Sequence, residues 1–229
     1  MEKNIAVCLT FDFDAISLWI GGFRARSLSA ISRGEFGRVG AQRLLDMMRG
    51  WGISSTWFVP GHSAETYPEI ARRIVAEGHE IANHGYLHTH PKNADDEEQI
   101  LIRGNESIAK ITGVRAVGFR SPGAGLSYSM VGLLLKHGFS YDSSLMGDDL
   151  TPHYMRIGDE APEDGPYVFG KSVDVVEIPF TWGLDDFPAF EYVTSRAGIQ
   201  GGLASPNAVY EIWSGDFDYL YDRVGAGVY

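Results

Sequence analysis

Three short polar clusters combine residue types that can do chemistry together. In Thr10-Phe11-Asp12-Phe13-Asp14 the two carboxylates are two residues apart, so in extended backbone Asp12 and Asp14 share one face and the phenylalanines the other. Two acids that close cannot both stay ionised in a poorly hydrated pocket unless a cation or a proton lies between them, and a metal ion meets that need. On its own the pattern also reads as a solvated strand terminus or a helix N-cap. In His84-Gly85-Tyr86-Leu87-His88 two imidazoles are four residues apart, one turn if the backbone is helical. Imidazoles beside a carboxylate make a divalent-metal site of borderline softness, suited to zinc, cobalt or manganese. A chain with seven histidines can give such a pair by chance, and His90 competes as a partner, though its spacing fits one face less well. In Phe119-Arg120-Ser121-Pro122-Gly123 a guanidinium can pair with whichever acid does not bind metal, or it can close an ordinary salt bridge.

Each cluster follows a strand candidate. Residues 5–9 are a short apolar run suited to a buried strand of a parallel sheet, with Cys8 as a small buried hydrophobe. The glycine-rich stretch 15–40 reads as a long functional loop. Helical spacing is expected over 42–49, 67–77, 95–111, 127–136 and 206–220, with glycines closing most of them. Strands are expected at 54–59, 80–82, 116–119, 139–142 and 173–178, and the polar stretch 147–171 reads as a surface excursion. This alternation predicts crossover units and a parallel α/β sheet, open or closed, in which successive strand ends share one rim. The three clusters would then meet. Among the aromatics, Trp51, Trp57 and Trp213 are expected in the core, and His62 is expected as a hydrogen-bonded loop residue.

Composition narrows the partners. Hydrophobic residues make up 44% and charged residues 21%, which excludes a disordered or fibrous chain. With 19 Lys+Arg against 30 Asp+Glu the formal net charge is −11, so nucleic acid and anionic membrane surfaces are excluded as partners. Cys8 is the sole cysteine, which rules out an intrachain disulfide framework and a cysteine zinc cluster. The N-terminal residues show no signal-peptide or spanning pattern, so a cytoplasmic protein is expected.

Together the clusters resemble those of the polysaccharide deacetylases, also called carbohydrate esterase family 4 or the NodB homology domain. The family's TFDDG motif stands here as TFDFD at residues 10–14. Its H-[ST]-x-x-H motif is matched at His84 and His88 with Gly85 in the hydroxyl position, and its R-x-P-[YFG] motif by Arg120, Pro122 and Gly123. Trp182-Gly183-Leu184-Asp185-Asp186 is similar to its fourth segment, so the resemblance covers nearly the whole chain. It implies an α/β fold of the distorted (β/α) barrel type, formed by residues 1–229 as one catalytic domain, with the site at the C-terminal strand ends. It also implies Asp12 as general base, Asp14, His84 and His88 as ligands of one divalent metal ion, zinc foremost, and Arg120 to orient Asp12. Asp185 would pair with Arg120, while Pro122, Gly123 and Trp182 would bind substrate, with the Gly123 N–H at the oxyanion. The reaction implied is attack of an activated water on an amide carbonyl.

The chain departs from the family pattern at its end and around its first loop. No match to the family's fifth motif, a leucine and histidine segment on the last strand, is present, and residues 224–229 read as a strand that stops early, so a C-terminal truncation with the missing histidine beyond Tyr229 is expected. The TFDFD form, the long 15–40 loop and Tyr141-Asp142-Ser143-Ser144 look more like a cytoplasmic subgroup that includes peptidoglycan deacetylase-like proteins and cyclic amide or imide hydrolases. A loop over the rim favours a compact ligand. A small cyclic amide or imide is therefore the expected substrate and a homo-oligomer the expected assembly. The alternatives are an N-deacetylase of N-acetylglucosamine-containing polysaccharide or peptidoglycan, and a non-catalytic metal or ligand binding module. A phosphatase-like hydrolase is disfavoured, since the sequence offers no second-metal ligand set and no glycine-rich phosphate loop.

Overall fold

The structure, a computed structural model, describes residues 3–195 and 198–229. In chain order the strands are β1 (Asn4–Ala6), β2 (Thr10–Asp12), β3 (Thr56–Val59), β4 (Glu80–Asn83), β5 (Gly118–Phe119), β6 (Tyr141–Asp142), β7 (His153–Ile157), β8 (Lys171–Glu177), β9 (Tyr192–Ser195), β10 (Gly198–Gly201) and β11 (Ala226–Val228). The helices are α1 (Leu28–Ile31), α2 (Phe36–Trp51), α3 (Gly61–Thr66), α4 (Pro68–Ala76), α5 (Ala94–Thr112), α6 (Met130–Lys136), α7 (Phe187–Phe190) and α8 (Pro206–Tyr219). The chain divides into two compact units: a larger one of Cys8–Ser144 and Tyr154–Glu177, and a smaller one of Met1–Val7, Leu145–His153 and Ile178–Tyr229.

In the larger unit β2, β3, β4, β5, β6 and β8 lie side by side in that order, every adjacent pair parallel, and β7 follows β8. Parallel neighbours need a crossover, and helices supply it between most of them. This is the expected (β/α) barrel type of fold, in a distorted form whose row ends at β2 and β7 among the described residues. Apolar residues at helical spacing bring α2 (Ala41, Leu45, Met48), α4 (Ile70, Ala71, Ile74) and α5 (Leu101, Ile108) to bury one stripe each. Leu45, Ile70, Ile74 and Ile108 meet Trp57 and Val59 of β3 in one core cluster. Phe11 and Phe13 close on the Trp57 ring at 4.7 and 6.5 Å between centroids, and strand alternation turns Asp12 and Asp14 the other way. Helix α5 starts at an Asn93 cap, whose side chain accepts from the Asp96 N–H, and stops at left-handed Gly113.

The structure corrects several expectations. The 5–9 run is not one strand: β1 and β2 are separate, and Val7 and Cys8 between them are exposed, so Cys8 is no buried hydrophobe. The 15–40 stretch is largely helical, with a π-helical turn at Leu18–Gly22, then α1, a 3₁₀ turn at Ser32–Glu35 and the start of α2. Its glycines are not all loop punctuation. At Gly34 a Cβ would stand 2.7 Å from the Ala15 carbonyl oxygen and 2.7 Å from the Trp19 ring, so the residue serves close packing instead. Helix α3 was not expected, and the 147–171 excursion contains β7 and a Glu160–Val168 bridge. Trp57 is buried, but Trp51 is 61% exposed at the end of α2. His62 lies on α3 rather than in a loop, and its Nδ1 is buried without a hydrogen-bond partner among the described residues.

The smaller unit holds two strand pairs, β1 with β11 in parallel register (Asn4↔Ala226, Ile5↔Gly227, Ala6↔Val228) and the antiparallel β9 and β10. Its longest helix, α8, begins with Pro206 after a Ser205 cap. No helix among the described residues is long and apolar enough to cross a membrane.

Candidate metal centre and active site

The polar clusters of the larger unit sit where parallel strands end. Asp12 is the last residue of β2, in register with Phe58 of β3, and the Phe13 N–H donates to the Phe58 carbonyl oxygen at 2.8 Å. Asp14 lies one step further, its carbonyl oxygen accepting from the Ser63 hydroxyl of α3 at 2.6 Å and from the Ser17 N–H at 2.9 Å. His84 follows β4 with its N–H on the Val59 carbonyl oxygen (3.2 Å), and Arg120 follows β5 with its N–H on the Asn83 carbonyl oxygen (3.0 Å). Sheet hydrogen bonding thus fixes the Cα positions of three functional side chains before any side-chain contact is made.

The segment 84–88 is not helical, contrary to the one-turn reading of the two histidines. Gly85 and His88 both take left-handed backbone angles, φ 69° and 53°, which fold the segment so that the two imidazoles meet at 5.3 Å between centroids. Glycines hold the segment from both sides. A Cβ on Gly104 of α5 would collide with the Gly85 carbonyl oxygen, and one on Gly21 with the Leu87 carbonyl oxygen. Gly104→Ala is therefore expected to displace residues 84–88 and to cost about 1–3 kcal/mol, as overpacking of a tight contact does. Thermal melting checks this, and an unchanged midpoint would refute the close-packing argument.

Ligand atoms of Asp14, His84 and His88 all lie within 4.8 Å of one another. His84 Nε2 is 3.5 Å from Asp14 Oδ1 and 3.6 Å from Asp12 Oδ2, and His88 Nε2 is 3.3 Å from Asp14 Oδ2. His84 Nδ1 stands 2.7 Å from the Arg120 carbonyl oxygen, which can only accept, so Nδ1 carries the proton. Burial lowers the His84 pKa, working against the attraction of Asp12 and Asp14, so the ring is neutral and Nε2 presents a bare lone pair. That lone pair and the Asp14 Oδ1 facing it are buried without a hydrogen-bond partner among the described residues. His84 Nε2 and Asp14 Oδ1 thus face each other as two acceptors with no proton between them, an arrangement that a cation resolves. The set of one carboxylate and two imidazoles, one of them oriented by a backbone carbonyl, fits a divalent metal ion.

Asp12 has a different neighbour. Arg120 Nη1 donates to its Oδ1 at 2.8 Å and to Thr10 Oγ1 at 3.2 Å, while Nε and Nη2 donate to the carbonyl oxygen and hydroxyl of Ser143 at 2.9 and 2.8 Å. The guanidinium also lies 4.1 Å over the Phe58 ring. Burial disfavours the charged Asp12, but opposing influences, the Arg120 charge foremost, hold the carboxyl below its usual pKa. Its side chain is still 29% exposed, so an ionised carboxylate faces solvent beside the acceptor cluster. Pro122 packs near Gly85, its Cγ 3.3 Å from a Cβ built there, and Gly123 is left-handed (φ 63°) with open space where a side chain would stand. Trp182 and Asp185 belong to the smaller unit, where the Asp185 carboxyl accepts from the Phe187 N–H at 2.8 Å and Trp182 is 43% exposed. Sequence reasoning gave no role to Ser143, Thr10, Ser63 or Gly104. The serine pair after β6 was the available signal, since paired hydroxyls at a strand end can serve a neighbouring guanidinium.

The model of the polysaccharide deacetylase family matches residues 3–141, well over half of the chain. The chain belongs to the polysaccharide deacetylase family. A peptidoglycan deacetylase of Helicobacter pylori is 38% identical over all of this chain and 83% of its own length. The peptidoglycan deacetylase-like protein FGM2 of Gibberella zeae is 35% identical over 96% of this chain and 70% of its own. Among solved structures, a putative polysaccharide deacetylase from Mycobacterium smegmatis superposes with a TM-score of 0.84 at 34% identity, covering all of this chain and 76% of that one. The Puue allantoinase superposes with a TM-score of 0.73 over 99% of this chain and 75% of its own, but at 21% identity it speaks for the fold alone. As a member of the polysaccharide deacetylase family the chain is a hydrolase of carbon–nitrogen bonds other than peptide bonds.

Proposed function

We propose that the chain is an N-deacetylase of N-acetylglucosamine-containing polysaccharide, peptidoglycan foremost, and that it works with one zinc ion held by Asp14, His84 and His88. The observation that carries the reading is the division of the two acids: Asp14 faces bare imidazole nitrogen, and Asp12 is paired with Arg120. The two relatives named for peptidoglycan deacetylation, each matched over nearly the whole chain, support the sugar substrate over the cyclic imide. When bound, the metal supplies Lewis-acid polarisation of the amide carbonyl and of water. Asp12, ionised by its arginine, takes the proton of the attacking water at its free Oδ2, and Arg120 keeps that oxygen aimed at the rim. Left-handed Gly123, unobstructed by a side chain, offers its N–H to the developing oxyanion. The products are acetate and the free amine.

A cyclic amide or imide is the second reading, favoured by one feature. The helical stretch after β2 reaches the site, a Cβ on Gly22 standing 3.1 Å from His88 Nδ1, and a covered rim suits a compact ligand. The two readings part in one assay: metal-loaded protein is given N-acetylglucosamine oligomers and a panel of cyclic imides. Acetate release that disappears on chelation and returns with zinc is expected. Turnover of imides without acetate release from the oligomers would replace the first reading by the second, and activity indifferent to chelation would remove both.

A further inference from the structure

Behind Arg120 lie two buried acids that the reaction as described does not use. Asp142 of β6 and Glu177 of β8 are register partners in a parallel pair, and both are fully buried. They converge on one donor: the Ser144 N–H lies 2.9 Å from Asp142 Oδ2 and 3.0 Å from Glu177 Oε1. The Ser144 hydroxyl donates to Asp142 Oδ1 at 2.9 Å and accepts from the Ser121 N–H at 2.8 Å. Two carboxyl groups so close and so dry cannot both be ionised. Burial drives the Asp142 pKa up to about 6, against the opposing effect of hydrogen bonds from Glu177 and Ser144 and of the Arg120 charge. The two groups therefore share a proton, with both Asp142 oxygens accepting from Ser144 and Glu177 Oε1 sharing the Ser144 N–H.

The acids grip both sides of Arg120. Ser144 is bonded through its N–H and its hydroxyl, which fixes the adjacent Ser143, whose carbonyl oxygen and hydroxyl receive Arg120 Nε and Nη2. The same Ser144 hydroxyl holds the N–H of Ser121, the residue that follows Arg120. A buried acid pair is a weak device for stability, because well-packed apolar groups often serve as well. Apolar groups cannot, however, accept the two donors of Ser144.

We propose that Asp142 and Glu177 form a positioning pair that locks Ser143 and Ser144 and, through them, aims the Arg120 guanidinium at Asp12. The assignment rests on the reading of Asp12 as the base, and the geometric half of it can be tested without any substrate.

The experiment compares Glu177→Gln, Glu177→Leu and Asp142→Asn with the unaltered chain, all metal-loaded, reading kcat, KM, metal content, melting and the Arg120 Nε–H signal in nitrogen-15 spectra. A glutamine amide can donate to Asp142 and still accepts from Ser144. Glu177→Gln is therefore expected to keep the Arg120 signal and most of kcat. Glu177→Leu, unable to do either, should lose the signal and about 10²-fold in kcat, as misplacement of a reacting group does, with KM and metal content unchanged. Asp142→Asn gives up one of the two acceptors for Ser144 and should fall between them. A gradient of damage in melting alone, with the Arg120 signal and kcat unmoved, overturns the proposal, as does equal damage from Glu177→Gln and Glu177→Leu. Should Glu177→Leu not fold, the contrast of Glu177→Gln with Asp142→Asn decides. If the unaltered chain releases no acetate, the substrate reading falls while the Arg120 signal still decides the positioning pair.

Discussion

Asp14→Ala is expected to abolish metal binding, whereas Asp12→Asn keeps the metal and loses turnover by about 10² to 10⁴, the contribution of one general base. The two residues are neighbours on one strand face, so simple proximity would predict the same phenotype for both. Their surroundings separate them. Both oxygens of Asp14 face imidazole nitrogens, at 3.5 and 3.3 Å, and one of them has no hydrogen-bond partner. Asp12 spends one oxygen on Arg120, and an asparagine oxygen can still accept that bond while its amide cannot take a proton. A stability measurement sharpens the contrast. In metal-free protein Asp14 Oδ1 and the His84 Nε2 lone pair oppose each other, so Asp14→Ala should melt no lower than the unaltered chain. On adding zinc at 100 times its dissociation constant the unaltered chain and Asp12→Asn should each gain about 2.7 kcal/mol, and Asp14→Ala nothing. Equal loss of metal in both variants would overturn the division of roles.

Much of this arrangement is legible in the sequence because the relevant periods are short. Strand alternation alone puts Asp12 and Asp14 opposite Phe11 and Phe13, and the crossover rule alone brings the ends of β2, β4 and β5 to one rim. What escaped the sequence depends on contacts between distant segments. Gly34 falls in a stretch that reads as a loop and Gly104 in an expected helix, and neither setting reveals that another segment passes too close for a side chain. The two histidines suggested a helical turn by their spacing, but left-handed Gly85 and His88 bring the rings together in an irregular segment. Asp142 and Glu177 fall inside strand-like runs, where a lone acid reads as an outward residue. Only the register of β6 with β8 shows that they face each other. Trp51 differs from its expectation for the opposite reason: apolar character alone does not give burial, and a helix end can leave a large ring in water.

Arg120→Ala is expected to lower kcat by about 10²-fold or more, since the base loses the group that aims it, while metal content stays at the level of the unaltered chain. The second half follows from which atoms of Arg120 serve which neighbour. The guanidinium serves Asp12, Thr10 and Ser143, but His84 is oriented by the main-chain carbonyl of Arg120, which the substitution leaves in place. Arg120→Lys should recover little. An ammonium restores the charge next to Asp12, but one nitrogen cannot bond Asp12 and both Ser143 acceptors in the planar fork that the guanidinium uses, nor lie flat over the Phe58 ring. Removing the cation in Arg120→Ala also removes the influence that holds the Asp12 carboxyl below its usual pKa, so the acid limb of the kcat/KM profile should move to higher pH in that variant and less in Arg120→Lys, which keeps a charge there. Steady-state kinetics between pH 4 and 8 on metal-loaded protein, with metal content measured on the same samples, reads all of these effects. Loss of metal in Arg120→Ala would mean that the side chain, and not only its carbonyl, supports the histidine, and full activity in Arg120→Lys would reduce the arginine to a charge.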